Sequence, residues 1–319
     1  MYRIADRNGT IKEQNSTQDR LLEWLYGHYV GRLLLRPLVT PAVSKLGGKI
    51  LSSRPSSLLI RPFVRASGMN LSDYEQGPFE SYNDFFQRKA LPGARPVDME
   101  PEHFVSPCDG KVSVSKLDEK SVFQIKHTRY TTERLLRNRK LAKAYAGGYL
   151  WVFRLSVEDY HRYIYIDRGV ESESVRIPGV FHTVNPVAND VFPVYKENTR
   201  EYSLLRTENF GTVLQMEVGA LLVGKIENHR QGRVFRRGQE KGTFAFGGST
   251  ILLITQKGRV CPDQDLLEYS RRGIEVSVRQ GETVGRASAR LEIPRTLSCP
   301  PHTHVQGSGP LSSLYIICS

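Results

Sequence analysis

The first regular pattern of apolar residues lies near the N-terminus, between Ser16 and Leu35. Apolar side chains recur there every three or four residues, which places them on one face of a helix. They are Leu21, Leu22, Leu25, Tyr26, Tyr29, Val30, Leu33 and Leu34. The pattern predicts an amphipathic helix, which Ser16 or Thr17 can cap because a side-chain oxygen there accepts a hydrogen bond from an unpaired backbone N–H.

Residues 32–65 alternate apolar clusters with lysine and arginine and contain no acidic residue. Pro37, Pro41, Pro55 and Pro62 interrupt this segment, and proline ends or kinks a helix because its nitrogen cannot donate a hydrogen bond. Several short helices are therefore predicted. Their apolar side can pack on the rest of the protein as a cap. Alternatively, the surface can lie on anionic lipid, where each nearby cation contributes about 1 kcal/mol, and the pattern alone leaves both readings open.

Beyond residue 96 the pattern changes to short apolar runs that are typical of strands. TVLQMEV (212–218) alternates apolar and polar residues, which predicts a strand with one buried face. The other runs are GYLWVFRL (148–155), ALLVGKI (220–226) and STILLIT (249–255). Glycine-containing turn signals separate the runs, so this part of the chain is predicted to be mainly antiparallel β.

These patterns together predict an α+β protein with three regions. Residues 1–95 would form a helical, basic region, which is membrane-associating on the lipid interpretation, and residues 96–290 a β-rich, mainly antiparallel core. Residues 291–319 are rich in Pro, Ser, His and Gly, so we expect a disordered tail. His302 and His304 fit that composition better than they fit a metal site.

The charge of the whole chain narrows the class of partner. The 319 residues carry a formal net charge of +12, which favours an anionic partner, either nucleic acid or a phospholipid surface. No nucleic-acid recognition motif accompanies the charge, so we expect no nucleic-acid partner. No window approaches the roughly 18 apolar residues of a membrane span, and the N-terminus lacks the apolar stretch of a signal peptide. We therefore expect a soluble or peripheral protein.

The cysteines suggest a reducing compartment. They form no CxxC pair and no zinc-like spacing with histidine, so we expect free thiols and no metal. The four cysteines are Cys108, Cys261, Cys299 and Cys318.

Three polar clusters in the β-rich part carry candidate chemistry. Asp109 lies in SPCDGKV, His161 in EDYHRYIYIDRG and Ser249 in FGGST. Each has a structural explanation, namely a hairpin turn, a hydrogen-bonded histidine and a glycine bend. Together they supply the residue types that activate a hydroxyl group, since a base takes the proton and a carboxylate orients the base.

The two glycines before Ser249 sharpen this interpretation. Glycine neither shields a peptide bond nor resists unusual dihedral angles, so the nearest electrophile to the Ser249 hydroxyl is the carbonyl of Gly248. The G-x-S-x-G elbow of conventional serine hydrolases is absent because Ile251 stands in place of the last glycine. Self-cleavage is favoured over hydrolysis of an external substrate.

At this point the chain resembles a known family, the phosphatidylserine decarboxylases, from about Gly31 to Gly285. The resemblance is carried by several segments in the same order. These are YNDFFQRKALPGARPV (82–97), SPCDGKV (106–112), DYHRY (159–163), HTVNP (182–186), ENTREY (197–202), MEVGALLVGKI (216–226), RGQEKGTFAFGGST (237–250) and GETVG (281–285).

The resemblance implies that the chain is a self-processing zymogen. Ser249 would attack the Gly248 carbonyl, leaving a β chain that ends at Gly248 and an α chain whose modified first residue is a pyruvoyl group. That group would form a Schiff base with the amine of phosphatidylserine and release carbon dioxide, giving phosphatidylethanolamine. Neither a metal nor pyridoxal phosphate would be needed.

Residue by residue, Asp109 and Ser249 match the family's triad and Gly248 matches the cleaved bond. The family commonly reads Tyr-His-Arg-x-x-His, but here only the first histidine, His161, is present, and Ile164 occupies the second position. His161 is the expected decarboxylation residue. The processing base stays open between His161 and His182, and Asp109 with backbone strain is a further possibility.

The resemblance also favours the lipid interpretation of the basic segment. We expect a peripheral protein on the cytoplasmic face of the cell membrane, with phosphatidylserine and anionic lipid as partners and a homo-oligomer left open. One rival is a decarboxylase of a soluble amino acid, which has no need of a basic, apolar segment. The other is a lipid-binding homologue that never cleaves, suggested by Ile164 but opposed by the retained Asp109, Gly248 and Ser249.

Overall fold

The computed structural model describes residues 2–14, 17–119, 122–125, 128–189, 193–220, 225–229, 233–245 and 249–288. The helices are α1 Thr17–Gly27, α2 Tyr29–Leu38, α3 Pro41–Leu51, a 3₁₀ helix Arg54–Leu59, α4 Ile60–Ser67, α5 Tyr82–Phe86, α6 Thr132–Leu136, α7 Arg139–Lys143, α8 Pro186–Asn189, α9 Val194–Glu197 and α10 Gln264–Arg271. The strands up to residue 177 are β1 Tyr2–Ala5, β2 Ile11–Gln14, β3 His103–Val105, β4 Gly110–Lys116, β5 Val122–Ile125, β6 Thr128–Thr131, β7 Tyr149–Leu155, β8 Arg162–Ile164, β9 Gly169–Glu171 and β10 Val175–Ile177. The later strands are β11 Arg200–Thr207, β12 Thr212–Val218, β13 Ile226–Asn228, β14 Val234–Phe235, β15 Glu240–Phe244, β16 Ser249–Thr255, β17 Val260–Pro262, β18 Glu275–Val278 and β19 Thr283–Ala287.

A large, mainly antiparallel sheet forms the core, as the alternating runs predict. Its strand order is β14-β9-β11-β12-β16-β7-β4-β18-β1-β2, with β10 also paired to β11. The runs predicted at 212–218 and 249–255 coincide with β12 and β16. Every residue of β16 is buried, because helices and smaller sheets cover the large sheet. The fold is therefore mixed α and β around a β core.

The N-terminal helical segment is divided more finely than its periodicity suggests. The single predicted helix is two helices, α1 and α2, which meet at His28. Gly31 allows the close contact, because a Cβ there would lie 2.6 Å from the carbonyl oxygens of Trp24 and Leu25. The several short helices predicted for the proline-containing segment are present, and Pro41 is the first residue of α3. Two of the predicted breaks are wrong, because Pro37 lies inside α2 and Pro62 lies in the first turn of α4.

Residues 2–14 differ from the helical N-terminal region that we predicted. They form a hairpin of β1 and β2, and β1 pairs in parallel with β18, so the chain start extends the large sheet. Asn8-Gly9 was a local signal for the hairpin that we did not use. The pairing with β18 could not be predicted, because that strand lies more than 260 residues further along the chain.

The strand β12 is also more buried than its alternation predicts. Gln215 and Glu217 were expected to face solvent, yet both are fully buried. The small sheet β13-β15-β8 brings Lys241 over them, and its Nζ lies 2.9 Å from Glu217 Oε1. Burial raises the pKa of Glu217, and the neighbouring Lys241 opposes that shift. An internal ion pair therefore replaces the expected polar surface.

Some predictions fall outside the described residues. These are the disordered tail at 291–319, the Ser16 cap, Gly248 with its neighbours at 246–247, and residues 221–224 of the ALLVGKI run. Within the described part of the chain, none of the helices has the length and apolarity needed to cross a bilayer.

Candidate active site

Ser249 is the first residue of β16 and is held at one end of the large sheet. It pairs with Leu155 of β7, and the next residue, Thr250, pairs with Val218 of β12. The Ser249 side chain is fully buried, and its Oγ has no hydrogen-bond partner among the described residues. A buried hydroxyl without a partner is unfavourable unless the site uses it, and the two glycines that precede Ser249 in the sequence make it the candidate for reaction.

Asp109 lies immediately before a neighbouring strand, β4, at the same end of the sheet. It directly precedes Gly110 of β4, where φ is 152° and an added Cβ would lie 2.7 Å from the carbonyl oxygen of Arg154 in β7. Only glycine tolerates this contact. Asp109 and Ser249 therefore stand on either side of β7, about 10 Å apart by the usual spacing of strands.

The Asp109 carboxylate is fixed by three donors. Arg95 Nε lies 3.1 Å from Oδ1 and 3.0 Å from Oδ2, and Arg95 Nη2 lies 3.0 Å from Oδ2. The backbone N–H of Gln280 donates to Oδ1 at 2.8 Å. These bonds fix the orientation of the carboxylate.

His161 is placed beside the chain segment that leads to Ser249. Phe244 N donates to the His161 carbonyl oxygen at 3.0 Å, and Leu155 pairs with Ser249. In the sequence, four residues separate Phe244 from Ser249 and five separate Leu155 from His161. Ser249 and His161 therefore flank the same junction between the large sheet and the β13-β15-β8 sheet.

The protonation of the His161 ring follows from its contacts. Nδ1 lies 2.9 Å from the carbonyl oxygen of Asp159, which can only accept, so Nδ1 carries the proton. Nε2 is buried and has no hydrogen-bond partner among the described residues. Burial lowers the pKa of His161 to about 3, although the Asp159 charge opposes the shift. The ring is therefore neutral near pH 7 and offers an unshared electron pair on Nε2.

Arg88 supports His161 and was not identified as a functional residue from the sequence. Its Nη2 donates at 3.1 Å to the carbonyl oxygens of Glu158 and Asp159, and the second of these also accepts from His161 Nδ1. Phe86 packs on the imidazole with ring centroids 4.0 Å apart. Both residues lie in the YNDFFQRK segment, so the signal was present, but it pointed to the family and not to a role.

Ile164 lies close to Asp109, where the family pattern places a second histidine. Its N–H donates to the Pro107 carbonyl oxygen at 2.9 Å, and Gln280 Nε2 donates to the Arg162 carbonyl oxygen at 2.8 Å. Gln280 therefore joins β8 to Asp109. The Ile164 side chain is buried and cannot transfer a proton, so any base must come from elsewhere.

His182 lies against the N-terminal helices. Tyr26 Oη is 3.3 Å from His182 Nδ1, and burial lowers the pKa of His182. Asn198 Nδ2 donates to the carbonyl oxygens of His182 and Gly219 at 2.7 and 2.8 Å. Gly219 follows Val218, the partner of Thr250, so His182 is anchored near the Ser249 end of β12.

The remaining chemistry predicted from the sequence can be located in part. Among the described residues, no group of three or more His, Cys, Asp or Glu side chains is arranged to hold a metal ion. Cys108 is a buried free thiol whose pKa is raised by burial, and Cys261 is an exposed free thiol. Cys299 and Cys318 lie outside the described residues.

Comparison with known proteins identifies the family to which the chain is similar. Residues 82–286 match the model of the phosphatidylserine decarboxylase family. Phosphatidylserine decarboxylase proenzyme 2 of Clostridium acetobutylicum is 43% identical over 268 residues, which cover 84% of this chain and 92% of that protein. The phosphatidylserine decarboxylase proenzyme of Clostridium novyi is 37% identical over 292 residues, covering 89% of this chain and 99% of that protein. The chain therefore belongs to the phosphatidylserine decarboxylase family.

Proposed function

We propose that this protein decarboxylates phosphatidylserine to phosphatidylethanolamine after cutting its own chain between Gly248 and Ser249. The observation that carries the proposal is the buried, unpartnered hydroxyl of Ser249 at the start of β16. Self-cleavage consumes that hydroxyl, which accounts for a serine that makes no hydrogen bond among the described residues. Family membership and two preceding glycines support the same reaction.

The site fits the pyruvoyl group that such cleavage would produce from Ser249. This group supplies an electron-accepting carbonyl for the loss of carbon dioxide. The fully buried position of Ser249 excludes water, and His161 Nε2 offers an unshared electron pair that can accept a proton. Asp109 is held by Arg95 and fixes the β4 end of the site. No metal or pyridoxal phosphate enters this proposal.

The proposal also concerns the processing base, the group that takes the proton from the Ser249 hydroxyl during chain cleavage. We assign decarboxylation to His161 and keep His161 and His182 as the candidates for cleavage. His161 has the advantage of a neutral ring with an unused Nε2, whereas His182 Nδ1 is engaged with Tyr26. A single cleavage per molecule tolerates a slow base, so either assignment is compatible with Ile164.

We further propose that the N-terminal helices place the protein on the cytoplasmic face of a membrane. Tyr29 and Leu58 are 78% and 79% exposed, although both are apolar enough to favour burial. Other exposed apolar side chains of the same segment are Leu21, Trp24, Val30, Leu33, Leu34, Leu38, Leu46, Ile50 and Leu59. An apolar surface with interspersed arginines suits anionic lipid. Binding to anionic vesicles should weaken as salt is raised, and salt-insensitive binding would count against this account.

Intact mass spectrometry tests the cleavage. The purified protein should consist of two chains, the smaller beginning with a carbonyl-bearing residue in place of Ser249. Ser249→Ala should stay a single chain, whereas Thr255→Val, which removes a hydroxyl at the other end of β16, should be cut normally. A single uncut chain in an active preparation would refute the mechanism. Release of carbon dioxide from phosphatidylserine but not from free serine then separates the proposed substrate from a soluble amino acid.

A further inference from the structure

A cavity of about 570 Å³ lies between α2 and the segment around His182. Arg32 and Arg36 line it from one face of α2, because residues four apart in a helix lie on the same side. Leu33 and Val39 supply apolar wall, and His182 lines the opposite side. The cavity therefore combines two cations with an apolar lining and lies within the 300–1,000 Å³ range of ligand sites.

The structure fixes this cavity in relation to Ser249. Phe181 N donates to the Val39 carbonyl oxygen at 2.9 Å, which joins the end of α2 to the His182 segment. Asn198 then links His182 to Gly219, beside the Val218–Thr250 pair. The cavity is thus held at the end of the sheet where β16 begins.

The arginines in the cavity are available to a ligand. Among the described residues, neither Arg32 nor Arg36 takes part in a salt bridge. The opposite wall carries no competing cation near pH 7, because burial lowers the pKa of His182. Glu197 Oε2 is 3.9 Å from His182 Nε2, on the far side of the imidazole from Tyr26. A ligand that fits this cavity therefore has an anionic group next to the arginines of α2 and apolar chains next to the apolar lining.

We propose that this cavity binds the glycerophosphate part of a phospholipid, with the phosphate held by Arg32 and Arg36. Two guanidinium groups suit a phosphate because each can donate paired hydrogen bonds. The acyl chains would leave past Tyr29 and Leu33, which are 78% and 53% exposed on the apolar helix surface. The inference deepens the proposed function, on which it rests, by naming the residues that hold the substrate.

The test measures binding separately from catalysis. Dihexanoyl phosphatidylethanolamine, a short-chain form of the proposed product, is titrated below its micelle concentration into the wild-type protein by calorimetry. Arg32→Gln combined with Arg36→Gln should weaken binding about tenfold or more, as expected for the loss of charge-assisted hydrogen bonds. The matched control combines Arg139→Gln and Lys143→Gln, an exposed basic pair at the same spacing on α7 that lies outside the basic N-terminal segment and does not line the cavity. This control should change binding less than twofold.

Two further ligands identify what the cavity recognises. Dihexanoylglycerol lacks the phosphate and should bind wild-type protein and the Arg32/Arg36 variant equally weakly. Glycerophosphate lacks the acyl chains and should compete poorly, whereas strong competition would show an anion site that does not select lipid and would overturn the proposal. Equal loss of binding in the Arg32/Arg36 and Arg139/Lys143 variants would reveal a general charge effect and would also overturn it.

The outcomes separate this proposal from the function. If wild-type protein decarboxylates phosphatidylserine and the Arg32/Arg36 variant keeps its KM, the cavity assignment fails while the function stands. If the wild-type protein binds the phospholipid through these arginines but never decarboxylates it, the function fails while the binding site stands. A raised KM with a kcat close to that of the Arg139/Lys143 control supports both.

Discussion

Replacing Asp109 and replacing its partner Arg95 should have similar effects on stability but different effects on chain cleavage. The two side chains are 11% and 8% exposed and make three contacts of 3.0–3.1 Å. Removing one member of a buried ion pair costs about 3–5 kcal/mol. In the Asp109→Asn variant, Arg95 keeps its ion pair with Asp73, whose Oδ2 lies 3.0 Å from Arg95 Nη1. The Asn oxygen can still accept a hydrogen bond from the backbone N–H of Gln280. We therefore expect the free energy of unfolding to fall by about 2 kcal/mol.

Arg95→Met provides the comparison for this prediction. It leaves the Asp109 carboxylate with Gln280 N as a donor, so a similar loss of about 2 kcal/mol is expected. Urea unfolding of both variants in the uncut Ser249→Ala background measures that loss on a single chain. The cleavage rate is then followed with Ser249 restored, by denaturing gel and mass spectrometry.

The two variants should differ if the carboxylate takes part in the chemistry. Asp109→Asn should abolish or strongly slow cleavage, whereas Arg95→Met retains the carboxylate and should cleave at a reduced rate. If folded samples of both variants cleave at the same rate, whether normal or slow, Asp109 acts only by holding the start of β4. That result would refute the reasoning.

The buried charges and histidines give three further predictions. Lys241→Met leaves its partner carboxylate buried and unpaired, so the free energy of unfolding in urea should fall by about 3 kcal/mol, whereas the exposed Lys257→Met should change it by less than about 0.5 kcal/mol. Because the pKa of His161 is lowered from 6.5 to about 3, the unfolded chain binds a proton that the native state excludes as pH falls through that range. Stability should drop by up to about 1.4 kcal/mol per pH unit there, and His161→Gln should flatten the dependence of thermal unfolding on pH, so equal slopes would contradict the assignment. His182→Ala should slow chain cleavage more than Tyr26→Phe, which removes only the hydroxyl beside the ring; normal cleavage in His182→Ala would remove it as a processing base.

Part of the central sheet could be predicted because its strands β7, β12 and β16 are apolar or alternating runs with clear ends. The bounds of β12 and β16 match the runs read from the sequence. The surroundings of β12 could not be predicted, because Lys241 reaches Glu217 only after a second sheet folds over it. Alternation along a strand indicates which residues share a face but does not reveal what later covers that face.

The candidate site shows the same division. Ser249, Asp109 and His161 were found because hydroxyl, carboxylate and imidazole groups have recognisable chemistry in a sequence. Arg88 and Gln280 were missed because they act through backbone groups, one on the Asp159 carbonyl and the other through its own N–H. Such contacts leave no pattern of residue types, so only the folded chain identifies them.

The position of β16 has a consequence for the quaternary state of the processed protein. β16 lies between β12 and β7, and β18 lies between β4 and β1. A cut before Ser249 would assign β16 and β18 to one polypeptide and all four of their neighbours to the other. The two products would then form a heterodimer with interleaved strands. Its sheet would already be assembled in the uncut chain, before the cut creates two polypeptides. Dilution could separate them only by unfolding the central sheet, so maturation should leave the hydrodynamic size unchanged while denaturing electrophoresis resolves two bands.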